Sequence, residues 1–341
     1  RPAAIVPGAQ AAALEPWSPD ERLVILGFRG FKDFWPSQVA ASLTRPAVWA
    51  TVVGSPAAPT RVEALTIDLP GLADRRNLSA LTIARLFDDP VARRDAIGAI
   101  AAALARTGGR PGRVGLPAAI GQHDHPAAFA ELAAALDLAP FEIPLVPPSV
   151  PGLRLYGALR SALRARGGRI TTGEPVADVT RDGRRVTAVS TRAAARMRTI
   201  RTGAVVLATG GIAGGGLVGH ADGRLVEPVL GLLVEAPPPD AWLATGPFPP
   251  DGHPLERAGI RTDDALRPLD GSGKVALENV VVVGSQLAGM RYLEERCGEG
   301  VAITSGIRAA EVLARAVGAS RPEDRPSRKR DRRAAAAAAS Q

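Results

Sequence analysis

Two stretches decide the reading of this chain: AVVLATGG, from Ala204 to Gly211, and VVVVGSQLAG, from Val280 to Gly289. Each is a short apolar run with no charged residue, which reads as a strand buried on both faces. Each then enters a loop of glycines and other small residues. A buried parallel strand that ends in glycine places bare backbone at the carboxyl edge of a sheet, where amide groups can approach a nucleotide without side-chain obstruction. The second loop is followed by Cys297-Gly-Glu-Gly300 and a helix expected over Gly300 to Val317. The free amides and dipole at such a helix start favour an anionic partner.

Working outward, Leu153 to Arg166 reads as an amphipathic helix stopped by Gly167-Gly168. Arg169 to Thr172 reads as a strand, and Val176 to Thr180 with Arg185 to Thr191 as a hairpin around Asp182-Gly183. Leu225 to Ala236 reads as mainly extended. Upstream, Pro144, Pro147, Pro148 and Pro151 form a stiff connector and mark the expected domain boundary. Before it lie strands expected over Arg22 to Leu26, Val48 to Val53, Ala64 to Leu69 and Arg113 to Leu116. Helices are expected over Pro36 to Leu43, Asn77 to Phe87, Val91 to Arg106 and Ala127 to Leu136, the middle two divided at Asp88-Asp89-Pro90.

Strands and helices alternate, so the class is α/β. The order suggests a Rossmann-like domain assembled from discontinuous segments, 151–236 and 276–318, with a second α/β domain inserted over 20–150. Residues 237–275 would return through that second region. Residues 1–19 read as a linker and 319–341 as a disordered basic tail.

Composition excludes several functions. The 341 residues suffice for about two domains. The net charge is +8, but residues 321–333 alone carry seven basic and three acidic residues. What remains is too dilute for a nucleic-acid surface, and no basic stripe is interleaved with aromatics. All basic residues except Lys32, Lys274 and Lys329 are arginine, a bias that fits base composition in a chain rich in Ala, Gly and Pro. Cys297 is the only cysteine, so neither an intramolecular disulfide nor a cysteine-based metal cluster can form. That fits a reducing cytoplasm. The apolar run Ala204 to Gly219 is too short and glycine-rich to span a bilayer.

Other motifs dissolve on inspection. Gly214, Gly216 and Gly219 spell G-x-G-x-x-G, but the first stands well beyond the strand end and His220-Ala-Asp-Gly223 cannot continue a helix. Gly271-Ser-Gly-Lys274 lacks the remaining P-loop residues. His123 and His125 have no third ligand nearby, so no metal is expected. The pairs Asp88-Asp89 and Asp263-Asp264 read as solvated turns or caps.

Several segments together carry a family resemblance: FEIPLVPPSVPGLRL (Phe141 to Leu155), GGLV (Gly215 to Val218), EPVLGL (Glu227 to Leu232), GIRTDDALRP (Gly259 to Pro268) and ENVVVVGSQLAGMRYLEERCGEGVAITSG (Glu278 to Gly306). In this order they resemble the B subunit of anaerobic glycerol-3-phosphate dehydrogenase. The resemblance implies a flavoprotein of the fumarate-reductase-like group, with FMN or FAD as cofactor. It implies a complex with a catalytic, FAD-bearing A subunit and with an iron–sulfur C subunit, located on the cytoplasmic face of the membrane. That complex oxidises glycerol 3-phosphate to dihydroxyacetone phosphate and reduces quinone. The N-terminal nucleotide-binding βαβ of such proteins is expected to be missing here.

Carried over by motif, the cofactor-binding residues are Ala208, Thr209, Gly210 and Gly211 in the first loop, then Gly284, Ser285, Gly289, Gly298 and Gly300. Arg154 and Arg267 are candidates for a substrate or flavin phosphate. Two other readings stand beside this one. A nicotinamide dehydrogenase would use Arg22 to Val53, where Phe28 and Arg29 crowd the pyrophosphate position. A cofactor-free scaffold would hold its partners without redox chemistry.

Overall fold

The structure is a computed structural model that describes residues 10, 20–45, 61–194, 196–246, 249, 251–295 and 298–316. It is mixed α/β and divides into two compact units, residues 6–170, and residues 171–341 with 1–5.

The first unit is built on β1 (Arg22–Phe28), β2 (Arg61–Ile67), β3 (Arg113–Pro117) and β4 (Ala139–Ile143). They form one sheet in the order β2-β1-β3-β4, each neighbouring pair parallel. All seven residues of β1 and all five of β3 are buried, as an inner strand covered on both faces requires. The helices are α1 (Pro36–Leu43), α2 (Ala80–Asp88), α3 (Pro90–Ala105), α4 (His125–Leu136) and α5 (Val150–Ala165). Val24, Ile25 and Leu26 from β1 share a core with Ile83, Phe87, Ile100, Phe129 and Leu132 from the helices. Each such side chain contributes roughly 1.5–3 kcal/mol when fully buried.

Local chemistry fixes the helix starts. Ser79 Oγ accepts the Thr82 N–H to cap α2, an interaction typically worth about 1 kcal/mol. Asp89 Oδ1 accepts the Ala92 and Val91 N–H groups to cap α3, and these bonds hold its carboxyl below its ordinary pKa. Pro90 occupies the first turn, so the break read at Asp88-Asp89-Pro90 is a cap between two helices. Strand β4 escapes a sequence reading because Pro140 sits inside it; β4 is an edge strand, where a missing donor is tolerated.

The second unit contains a three-stranded antiparallel meander of β5 (Val176–Asp182), β6 (Arg185–Ala193) and β7 (Arg196–Arg201). Gly183, with φ of 54°, makes the turn between the first two. Beside it β8 (Val205–Leu207) pairs in parallel with a later strand. The ribbon β9 (Val218–Gly219) and β10 (Leu225–Val226) intervenes, and β11 (Val280–Val282) is the partner of β8. A single turn, α6 (Tyr292–Glu295), leads to α7 (Gly298–Ala316). Asn279 joins the parts: its Oδ1 accepts the Val186 N–H, and its Nδ2 donates to the carbonyls of Val186 and Gly203. Val186, Leu207, Leu230, Ile260, Leu277, Val280 and Val282 form the core.

Three expectations change. The prolines at 144–151 are not the edge of a compact unit, which runs on to Ile170 and includes α5. The reason is a buried ion pair: Arg154 of α5 grips Glu142 of β4, and Val150 is fully buried in the first core. No strand forms over 169–172. Of 225–236 only Leu225–Val226 is strand, because the buried Glu227 carboxylate turns the chain by accepting from Val229 and Leu230. The expected strand at 48–53 lies outside the described residues, as do the 319–341 tail and all of 1–19 except Gln10.

Candidate functional site

The register Val205–Val280, Val206–Val281, Leu207–Val282 brings β8 and β11 level, so both glycine loops leave the same edge of the sheet. The Val283 N–H still donates to the Leu207 carbonyl, carrying the pairing up to the loops. Beyond that point side chains take over. Ser285 Oγ accepts the Gly211 N–H at 2.8 Å, and Gln286 Nε2 donates to the Gly216 carbonyl at 3.0 Å. From α7, Ser305 Oγ accepts the Gly284 N–H at 2.9 Å and donates to the Val301 carbonyl of its own helix.

The glycines serve different purposes. Gly284 and Gly289 have φ of 70° and 86°, and a Cβ at either would meet nothing within 4 Å. Gly300 is equally open. Gly210 also has positive φ, 85°, and lies against the backbone of Gly214. Gly211 and Gly298 are small for packing reasons: a Cβ would stand 2.6 Å from the Ser285 carbonyl oxygen in the first and 2.7 Å from the Tyr292 ring in the second. Cys297 lies outside the described residues.

What the edge offers a ligand is backbone. Ala208 and Thr209 are exposed, and among the described residues the N–H groups of Thr209 and Gly210 have no acceptor. The 19-residue helix α7 packs on the second loop through Ser305, two turns into the helix. At Gly284, Gly289 and Gly300 nothing lies within 4 Å of where a Cβ would stand, so the backbone there is open to approach. A flat, hydrogen-bond-accepting or anionic group fits these donors, and a flavin is such a group.

The two arginine candidates part company. Arg154 donates through Nη1 and Nη2 to Glu142 at 2.6 and 2.9 Å, and through Nε and Nη2 to the carbonyls of Gly121 and Ile120. Its side chain is 11% exposed and that of Glu142 is 3%. This is a folding bond within the first unit, which corrects its reading as a phosphate ligand. Arg267 instead closes a turn with Asp263 and keeps 40% of its side chain in solvent. Burial pushes the Asp263 carboxyl up, but bonds from the Arg267 side chain and backbone outweigh it and hold the group below its ordinary pKa.

Gln286 and Ser305 are not singled out by the sequence. A buried amide beside a glycine loop has no spacing signature, and a serine inside a helix ordinarily faces its own backbone. The histidines resolve as structure. His125 is buried, with Nδ1 2.7 Å from the Ile120 carbonyl, while the His123 N–H donates to Asp88. Among the described residues no helix is long and apolar enough to cross a membrane.

Residues 1–301 match the FAD binding domain family. A probable anaerobic glycerol-3-phosphate dehydrogenase B subunit from Halobacterium salinarum (strain ATCC 29341 / DSM 671 / R1) is 34% identical over 326 residues, 93% of this chain and 72% of that protein. The anaerobic glycerol-3-phosphate dehydrogenase B subunit of Yersinia pestis bv. Antiqua (strain Antiqua) is 33% identical over 303 residues, 87% of this chain and 65% of that protein. That of Vibrio vulnificus (strain CMCP6) is 28% identical over 85% of this chain and 64% of its own length. These names describe one subunit of a multi-subunit enzyme. No solved structure matches the chain. With a family model covering most of its length and a relative above 30% identity matched over nearly three quarters of its own, the chain belongs to the FAD binding domain family, among the B subunits of anaerobic glycerol-3-phosphate dehydrogenase.

Proposed function

We propose that this chain is the flavin-binding redox subunit of a membrane-associated complex that oxidises glycerol 3-phosphate to dihydroxyacetone phosphate and passes the electrons to quinone. The observation that carries the reading is the pair of level glycine loops, with the N–H groups of Thr209 and Gly210 left without an acceptor among the described residues. Thr209, Gly210, Gly284, Gly289 and Gly300 are the residues that would hold FMN or FAD. Ala208 and Ser285 lie on the same rim, and Gly211 and Gly298 let its parts pack closely. A bound flavin supplies the exchange between two-electron substrate oxidation and one-electron transfer.

The protein's own part is to bind and orient. Backbone donors fixed on a sheet edge need no reorganisation as charge builds on an acceptor. Arg267, half in solvent, is available to a phosphate group. No acid–base pair suited to taking the substrate hydroxyl proton is evident among the described residues, so substrate chemistry is assigned to the companion FAD-bearing A subunit. An iron–sulfur C subunit then carries electrons toward the inner face of the membrane. The purified chain should carry a visible flavin band, and chromatography of the released cofactor separates FMN from FAD. Turnover of glycerol 3-phosphate with a quinone analogue should require co-expressed A and C subunits. A colourless protein that takes up neither flavin favours the scaffold reading, and robust turnover by the chain alone removes the division of labour.

A further inference from the structure

The first glycine loop is wound about one atom. The Gly211 carbonyl oxygen accepts the N–H groups of Gly214, Gly216 and Leu217. Gly216 returns so tightly that a Cβ there would overlap the Gly210 carbonyl oxygen. Besides the buried Leu217 side chain, hydrogen bonds tie such a coil to the second loop. Two neighbouring side chains of the second loop make them, Ser285 at the Gly211 N–H and Gln286 at the Gly216 carbonyl.

Gln286 is the firmer of the two. Its side chain is fully buried, and its own carbonyl accepts the Ile260 N–H at 2.7 Å. The following Ala288 N–H donates back to the Ile260 carbonyl, so the residue is held on both sides. The amide orientation is fixed, because a carbonyl oxygen can only accept and the NH₂ must face Gly216. Its Oε1 is then left buried without a donor among the described residues, which costs stability. Leucine or methionine would fill a similar volume without that cost. What the amide adds is its hold on Gly216.

We infer that Gln286 is a positioning residue for the flavin: it sets the first loop against the second and so fixes where the Thr209 and Gly210 N–H groups point. The inference rests on the flavin reading of the same edge. Two variants of the full chain separate it from a packing role, each titrated with FMN and with FAD by flavin fluorescence while flavin-free unfolding is followed alongside. Gln286→Leu should keep the flavin-free unfolding midpoint near that of the wild type and weaken flavin binding about tenfold or more. Gln286→Glu should bind flavin well at about pH 6, where a buried carboxyl is protonated and donates to Gly216. It should lose flavin toward about pH 9 as that proton leaves, while wild-type binding stays flat over the same range.

Wild-type affinity in Gln286→Leu overturns the inference. So does flavin binding by Gln286→Glu that does not change with pH, and this arm decides the matter if the leucine variant fails to fold. A wild-type chain that binds no flavin sinks the reading of the edge itself, whereas losses confined to the variants bear on Gln286 alone.

Discussion

Two sets of parallel strands in this chain end in opposite ways. At the carboxyl edge of β3 every N–H of the loop 118–124 is taken, four by side chains and three by backbone carbonyls. Asp88 Oδ1 accepts the N–H groups of Gln122, His123 and Asp124, Glu142 accepts that of Ile120, and Arg154 and His125 serve the Ile120 carbonyl. At the carboxyl edge of β8 the loop is anchored at Gly211 and Gly216, leaving Thr209 and Gly210 with unclaimed donors among the described residues. Strand order alone would favour the first edge, since a doubly wound sheet opens a crevice where its order reverses, between β1 and β3. The difference teaches that a strand end becomes a binding edge only where side chains have not already taken the backbone's hydrogen bonds.

The largest test breaks the closed edge. Arg154→Met leaves the buried Glu142 carboxylate without its countercharge, and should cost about 3–5 kcal/mol in denaturant unfolding. Arg267→Ala removes a half-exposed pair and should cost under about 1 kcal/mol. Similar losses in the two would erase the distinction drawn between them.

Gly284→Val tests the open edge. At φ of 70° a β-branched residue carries strain on the order of 1–3 kcal/mol, and its methyl groups enter the open space over the second loop. Flavin should be lost from folded protein, checked by circular dichroism, while Arg164→Ala on the exposed side of α5 should retain it. Equal flavin-to-protein absorbance ratios would remove the second loop from the site.

The smallest effect concerns His125. Burial holds its pKa below the ordinary value, with the Arg154 charge acting in the same direction against the Ile120 bond and the Glu142 and Asp88 charges. The folded ring therefore binds protons less readily than the unfolded one. Its contribution is fully present above the unfolded pKa of about 6.5 and fades as pH falls below it. The unfolding midpoint should drop with acidification from there, and His125→Asn should flatten that part of the profile. An unchanged slope in the variant would assign the acid sensitivity to other groups.

The strands β1, β3 and β11 are legible in the sequence because burial on both faces leaves a largely apolar run, and the helix break at Asp88-Asp89-Pro90 because a cap and a proline coincide. Strand β8 is apolar too, but Val206 is 46% exposed, so it is not the doubly buried strand that its sequence suggests. The glycine loops are legible as glycine. Arg154 misleads because its partner Glu142 is a strand residue twelve positions away whose inward direction no periodicity in APFEI reveals. Gln286 and Ser305 stay hidden because their partners are backbone atoms of Gly216 and Gly284, and a hydrogen bond to backbone leaves no complementary residue type to find.

The crowding at Gly216 has a genetic consequence. Every missense change one base away from a glycine codon introduces a Cβ, and here any Cβ meets the Gly210 carbonyl oxygen. Drift therefore has no harmless first step at this position, and a gene bearing such a change must move the loop itself before it can keep the substitution.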